Sequence, residues 1–160
     1  ATLASVRHLN SMATDHRVRL TLHSDPSAGD LLLIRCDPDL LEAMISNLIR
    51  NAIRFSPRNG EVRVTLDGTA TEVLVIVEDD GPGIPEDVLE HIFDRYFETS
   101  QTNVRRGAGL GLAIASTVAR LHGGGASAEN RPEGGARITV RLPRAVTTEV
   151  PENAQSVNEI

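Results

Sequence analysis

Three short stretches hold side chains whose types and spacing suit a charged ligand. In NLIRNAIRFS, residues 47 to 56, Asn47, Asn51 and Arg54 recur at i, i+4 and i+7 and so share one helix face. Asparagine is a poor helix former because its amide competes for backbone partners, so two on one face need a reason. Amide oxygens suit a hard divalent cation and a guanidinium suits phosphate oxygens; a metal-bound triphosphate would ask for both. Taken alone, the stripe is more simply a solvated helix face with an arginine at its end. In EDDGPGIP, residues 78 to 85, a Val-rich segment delivers carboxylates to a loop where Gly81 and Gly83 allow close backbone approach. An ionised Asp79 only accepts hydrogen bonds, so it suits the exocyclic amine of adenine and repels the oxygen that guanine carries there. A plain Gly-Pro turn with surface acids explains this stretch equally well by itself. The acidic spacing of an EF-hand is absent. In RRGAGLGLAIA, residues 105 to 115, Gly107, Gly109 and Gly111 precede a helical pattern, where free backbone N–H groups and the helix dipole favour phosphate. Neither the P-loop nor the dinucleotide spacing is present.

The elements that must position these stretches follow from periodicity. RVRLTLH alternates as a half-buried strand, and DLLLIRC is a second extended candidate. Asp37 is placed as an N-cap and Pro38 at the first helical position of a helix running to about Phe55, ended by Ser56-Pro57 and Asn59-Gly60. On it Leu40, Met44, Leu48 and Ala52 are predicted to face the core. EVRVTLDG and EVLVIVED form a hairpin pattern, EDVLEHIF a short helix, GLGLAIASTVARLH a longer one ended by glycines, and ARITVRLP a closing strand. Residues 98 to 106 have no apolar period and are predicted to be mobile. The polar tail after Pro143 is predicted to be disordered. There is no internal repeat, and the elements mix without regular βαβ alternation, which predicts helices on one face of a mixed sheet.

Composition narrows the functions available. The 160 residues suffice for one domain with a core, 40% of them are apolar, and the aromatics are three Phe, one Tyr and no Trp. Stacking platforms for single strands are therefore lacking, and a net charge of −6 argues against a general nucleic-acid binder. The single cysteine, Cys36, excludes an internal disulfide and is expected to be buried. No run is long and apolar enough to cross a membrane, so a soluble, cytoplasmic chain is expected, cut from something larger.

In order, NLIRNAIRFS, EDDGPGIP, HIFDRYF and GAGLGLA resemble the N, G1, F and G2 boxes of the ATP-binding catalytic domain of bacterial sensor histidine kinases. PEGGARITVRLP resembles the Gly-rich turn and last strand that close it. The resemblance covers residues 17 to 143, with 1 to 16 as a linker from the dimerisation and acceptor helices and 144 to 160 as a tail. It implies the Bergerat fold, an α+β two-layer sandwich with a mixed, mostly antiparallel sheet and helices on one face. It implies ATP and Mg2+ as ligands, with Asn51 on the metal, Asn47 beside it and Arg54 near the phosphates. Phe55 is implied at the nucleoside, Asp79 on adenine, and Gly81, Gly83 and Ile84 in the pocket wall. Arg106, Gly107, Gly109, Leu110, Gly111 and Leu112 are implied as the phosphate loop. Residues 98 to 106 would be the ATP lid, with Phe93 and Phe97 packing under it.

Two departures stand out. Glu98 occupies a place where many members carry Arg, which leaves lid contact with phosphate to Arg95, Arg105 or Arg106. No histidine sits in an acceptor motif: His8, His16, His91 and His122 all lack the acidic and Thr/Asn-Pro neighbours. The resemblance thus implies a kinase domain that donates to a histidine elsewhere, in a homodimeric parent that is an inner-membrane receptor, with a response regulator downstream and the fragment itself a monomer. The related gyrase-type ATPases place a water-activating Glu where this chain has Asn47, which cannot serve as a general base. A degenerate nucleotide-binding module without transfer activity is the alternative.

Overall fold

A computed structural model describes residues 3–24, 33–94 and 110–145. Its elements in chain order are α1 (Leu3–His16), β1 (Arg19–Ser24), α2 (Pro38–Phe55), β2 (Glu61–Gly68), β3 (Glu72–Asp79), α3 (Gly111–Leu121), β4 (Gly125–Asn130) and β5 (Ala136–Pro143). The five strands form one sheet in the order β1-β2-β3-β5-β4. Only the β1–β2 pair is parallel; the other three pairs are antiparallel. Alternation decides which face is covered. Val62, Val64, Val75, Val77, Ile138, Val140 and Leu142 point to one side and join Met44, Leu48, Ala52, Ile53, Leu112, Ala115, Val118 and Ala119 of the helices in a single aliphatic core. The sheet is mixed and mostly antiparallel, with its helices on one face, as the sequence predicts.

α2 begins where its cap demands. Asp37 Oδ1 accepts from the backbone N–H groups of Asp39 (2.9 Å) and Leu40 (3.1 Å), and Pro38 opens the helix without needing a donor. It ends with the Ser56 N–H donating to the Ala52 carbonyl, after which Asn59 takes the left-handed conformation at φ 67°. Its apolar stripe holds except at the first turn, where Leu40 is 38% exposed instead of buried. Cys36 is half-buried, also short of the expectation.

Other segments add to or differ from the sequence reading. Residues 3–16, within the segment expected as a linker, are helical as α1, which packs on α2 and β1 and places Leu9 and Ala13 in the core. The EDVLEHIF helix shrinks to one 3-10 turn, Glu86–Val88, with no side chain capping its start; Ile92 and Phe93 beyond it still pack against the core. β4, GASAEN, has small residues of poor strand propensity and is recruited by pairing with β5. The predicted lid, together with Arg95, Phe97, Glu98, Arg105, Arg106, Gly107 and Gly109, lies outside the described residues, as does the tail from residue 146.

Candidate functional site

The face of α2 not used by the core carries Asn47, Arg50, Asn51 and Arg54. Asn47 is nearly buried; its Nδ2 donates to the Ala43 carbonyl (2.8 Å), and its Oδ1 accepts from Arg50 Nη2 (2.5 Å). Arg50, three residues from Asn47 and four from Arg54, shares this face and was not singled out by the sequence reading. Asn51 is half-buried, and among the described residues its amide has no hydrogen-bond partner. Arg54 lies with its guanidinium carbon 5.6 Å from the centre of the Phe55 ring, a cation–π distance that orders both side chains at the end of the helix. An open cleft of about 430 Å³ lined by Asp39, Glu42, Ala43, Ser46, Asn47 and Arg50 runs beside this stripe.

Asp79 closes β3 and is 7% exposed. Its Oδ1 accepts from the Gly81 N–H (2.8 Å) and the Ala136 N–H (3.3 Å), which leaves Oδ2 as the acceptor without a partner among these bonds. Burial raises its pKa, outweighing the two N–H donors and the nearby Arg131 charge. Glycine is required next to it: a Cβ on Gly81 would sit 2.7 Å from Asp79 Oδ1 and 2.8 Å from the Phe55 carbonyl oxygen. Gly83 has φ +80°, and Ile84 beyond it is half-buried against the core. The neighbouring carboxylates behave differently. Burial pushes the Glu78 pKa up, but hydrogen bonds and charge from Arg137, Arg63 and Arg131 hold it below the usual range. Asp80 is also held low, first by the Glu61 N–H and then, against some burial, by Arg131.

α3 starts at Leu110–Gly111 without a side-chain cap, so its first N–H groups are left to a ligand or solvent. A Cβ on Gly111 would lie 3.7 Å from Asn47 Oδ1, which places this helix start against the α2 stripe. Leu112 turns inward and is buried. The described members of the sequence-read set therefore converge along α2. Its Phe55 end meets Asp79 and Gly81; its Asn47 end, about 12 Å away at 1.5 Å per residue, meets Gly111. The chemistry available is a buried carboxylate acceptor with Arg54 nearby at one end, and amides, Arg50 and the uncapped helix start at the other. The Asn51 amide oxygen, without a hydrogen-bond partner among the described residues, is a hard oxygen donor of the kind Mg2+ takes together with a ligand's phosphates.

Two residues that position the site were not legible beforehand. Asn130 and Arg131, at the end of β4, reach back 46 to 52 positions to the Asp79–Ile84 loop. No local pattern marks such a contact, although the Gly-rich turn that follows them was visible.

Residues 36–146 match the family described as histidine kinase-, DNA gyrase B-, and HSP90-like ATPase. The signal transduction histidine-protein kinase AfsQ2 of Streptomyces coelicolor is 48% identical over 111 residues, covering 69% of this chain and 20% of that protein. The present chain thus spans about a fifth of that relative's length. Among solved structures, the mycobacterial sensor histidine kinase MprB superposes with a TM-score of 0.76 at 26% identity, covering 89% of this chain and 93% of the other. Histidine kinase ThkA in complex with response regulator protein TrrA superposes at 0.70 and 25% identity, covering 89% and 40%.

Proposed function

The chain belongs to the family of histidine kinase-, DNA gyrase B-, and HSP90-like ATPases, and from that premise we propose that it binds ATP with Mg2+ and presents the γ-phosphoryl to a histidine on a separate dimerisation domain. The observation that supports this most directly is the convergence along α2 of Asp79 with Gly81 at one end and Asn47 with Gly111 at the other. Those ends are as far apart as a nucleotide's base and its phosphates.

In this assignment Asp79 Oδ2 accepts the adenine amine, while Gly81 and Gly83 leave room for the base. Asn51 is assigned to offer its amide oxygen to the metal, with Asn47 beside it; Arg54, stacked on Phe55 at the base end of the helix, would swing away from that ring to reach the phosphates. Bound Mg2+ neutralises charge on the triphosphate. The uncapped start of α3 donates N–H groups to phosphate oxygens. Leu110, and outside the described residues Arg106, Gly107 and Gly109, are assigned to phosphate binding by the resemblance. Phosphoryl transfer asks for positioning and charge compensation more than covalent chemistry, and this set supplies both. Asn47 stands where a hydrolase would need a carboxylate base, so transfer to a protein acceptor is favoured over hydrolysis. The parent is proposed to be a homodimeric sensor at the inner membrane with this domain in the cytoplasm, and its downstream partner a response regulator, as ThkA has in its complex with TrrA. Among the described residues no helix is long and apolar enough to cross a membrane.

The test is calorimetric titration with ATP and GTP in the presence of Mg2+. ATP should bind at least tenfold more tightly, since a site lined for a donor rejects an acceptor in its place. Equal affinities would overturn the assignment of Asp79.

A further inference from the structure

The loop from Asp79 to Ile84 is held at both ends by two consecutive residues from the far edge of the sheet. At one end, Asn130 Oδ1 accepts from the Ile84 N–H (2.7 Å) and Asn130 Nδ2 donates to the Ile84 carbonyl (2.7 Å). One side-chain amide thus pairs with a backbone residue as a neighbouring strand would, in a segment that has none. The fit is close: Asn130 Oδ1 lies 2.8 Å from where a Gly83 Cβ would sit. At the other end, Arg131 Nη1 donates to the Asp79 carbonyl (2.8 Å) and to Asp80 Oδ1 (3.0 Å). The Arg131 side chain is only 10% exposed, and its Nε lies 3.7 Å from Glu78 Oε1. Asp80 in turn takes the Glu61 N–H on Oδ2 (2.9 Å), which ties the same arginine to the start of β2. The turn after Arg131 closes over the loop: Gly135, at φ +84°, lies so near Asp79 that a Cβ would be 1.8 Å from the Asp79 carbonyl oxygen.

We propose that Asn130 and Arg131 are positioning residues for the nucleobase, a clamp that sets where the Asp79 carboxylate and the Gly83–Ile84 backbone stand relative to a bound purine. The proposal rests on the assignment of Asp79 to adenine. Asn130 is exposed, so its two bonds compete with water and add little to global stability; what they fix is the register of the loop. Two anchors are needed because the loop contains Gly81 and Gly83, whose backbone freedom would otherwise let Asp79 and Ile84 drift independently. Among the described residues no hydrogen bond or ion pair joins Asn130 or Arg131 to the α2 stripe or to Gly111, so the clamp's influence should stop at the base and leave phosphate binding unchanged.

The experiment compares wild type with Asn130→Ala, Asn130→Asp and Arg131→Lys for Mg2+-ATP, Mg2+-GTP and Mg2+-tripolyphosphate, with thermal unfolding alongside. Asn130→Ala should weaken ATP about tenfold, narrow the ATP-over-GTP ratio and leave tripolyphosphate within about twofold. Asn130→Asp keeps the acceptor for the Ile84 N–H but sets an anionic oxygen against the Ile84 carbonyl, so its loss should be at least as large as that of Asn130→Ala. Arg131→Lys keeps the charge but cannot hold the Asp79 carbonyl and the Asp80 carboxylate together, so it should behave like Asn130→Ala. Should Asn130→Ala fail to fold, Asn130→Ser, which keeps one acceptor and one donor, serves in its place. Parallel weakening of ATP and tripolyphosphate, or unchanged ATP affinity in a wild type that discriminates against GTP, would overturn the clamp. A wild type that does not discriminate would instead overturn the adenine assignment beneath it.

Discussion

At the scale of single residues, the site separates carboxylates that stabilise the fold from the one that does not. Glu78 and Asp80 are kept below the usual range by arginines and a backbone N–H, and they hold the sheet end together. Asp79 has a raised pKa because burial dominates. Its native form therefore binds a proton more tightly than the unfolded chain does, so ionised Asp79 costs stability. That cost appears as pH rises above its ordinary 3.8 and is fully present once pH exceeds the raised value. Asp79→Asn should consequently be at least as stable as wild type at pH 7, with a melting-temperature advantage that grows as pH rises from about 4. Its Oδ1 can still accept from Gly81 and Ala136. The same variant should lose ATP affinity by about 30-fold, roughly 2 kcal/mol, because the amide now presents a donor to a donor. Thermal scans at several pH values, paired with titration, check both halves. A variant less stable than wild type at neutral pH, with ATP affinity retained, would show that Asp79 is structural.

At the scale of elements, what the sequence made legible was local. The Asp37–Pro38 cap, the 3.6-residue stripe of α2 and the two-residue alternation of β2, β3 and β5 each follow from neighbours in the chain. So did the clustering of Asn47, Asn51 and Arg54 on one face. β4 was missed because Gly125, Ala126, Ser127 and Ala128 have little strand propensity, and only pairing with β5 makes them a strand. Asn130 and Arg131 were missed for a related reason: their targets lie far away in the chain. α1 lies in the segment that the resemblance implies as a linker, and there Leu9 is 5% exposed and Ala13 is 3% exposed. This gives a prediction at the same scale. Leu9→Ala should destabilise the domain by about 2–3 kcal/mol, since a buried leucine loses both transfer energy and packing. ATP affinity at temperatures where the variant is folded should not change, because α1 packs on α2 and β1 through core residues such as Leu9 and Ala13. Denaturant unfolding with and without ATP separates the two effects. A stability equal to wild type would mean that α1 is not part of the folded unit.

At the scale of the whole molecule, the described residues offer no histidine placed to accept a phosphoryl group at the proposed site. His91 is exposed and pairs with Asp94 at 3.1 Å. His122 ends α3 at the opposite end from Gly111, with Nε2 accepting from the Asp37 N–H (3.1 Å) and Nδ1 bonded to the Val118 carbonyl (2.8 Å). The eleven residues of α3 put it about 16 Å from the helix start that faces Asn47. His8, His16 and His23 are exposed on α1 and β1. A phosphoryl group moves only when a nucleophile is held in line with it, and no side chain at Asn47 can activate water instead. The domain by itself should therefore hydrolyse ATP very slowly and acquire no phosphohistidine. Acceptor helices from its own parent kinase, added in trans with labelled ATP, should become labelled slowly, because the two pieces must meet by diffusion. Asn51→Ala should abolish that Mg2+-dependent label while leaving the circular dichroism spectrum intact, since the residue lies on the polar face of α2. Rapid phosphate release, or acid-labile label on the domain alone, would mean that a nucleophile within this chain reaches the γ-phosphate and that the division of labour between donor and acceptor domains is wrong.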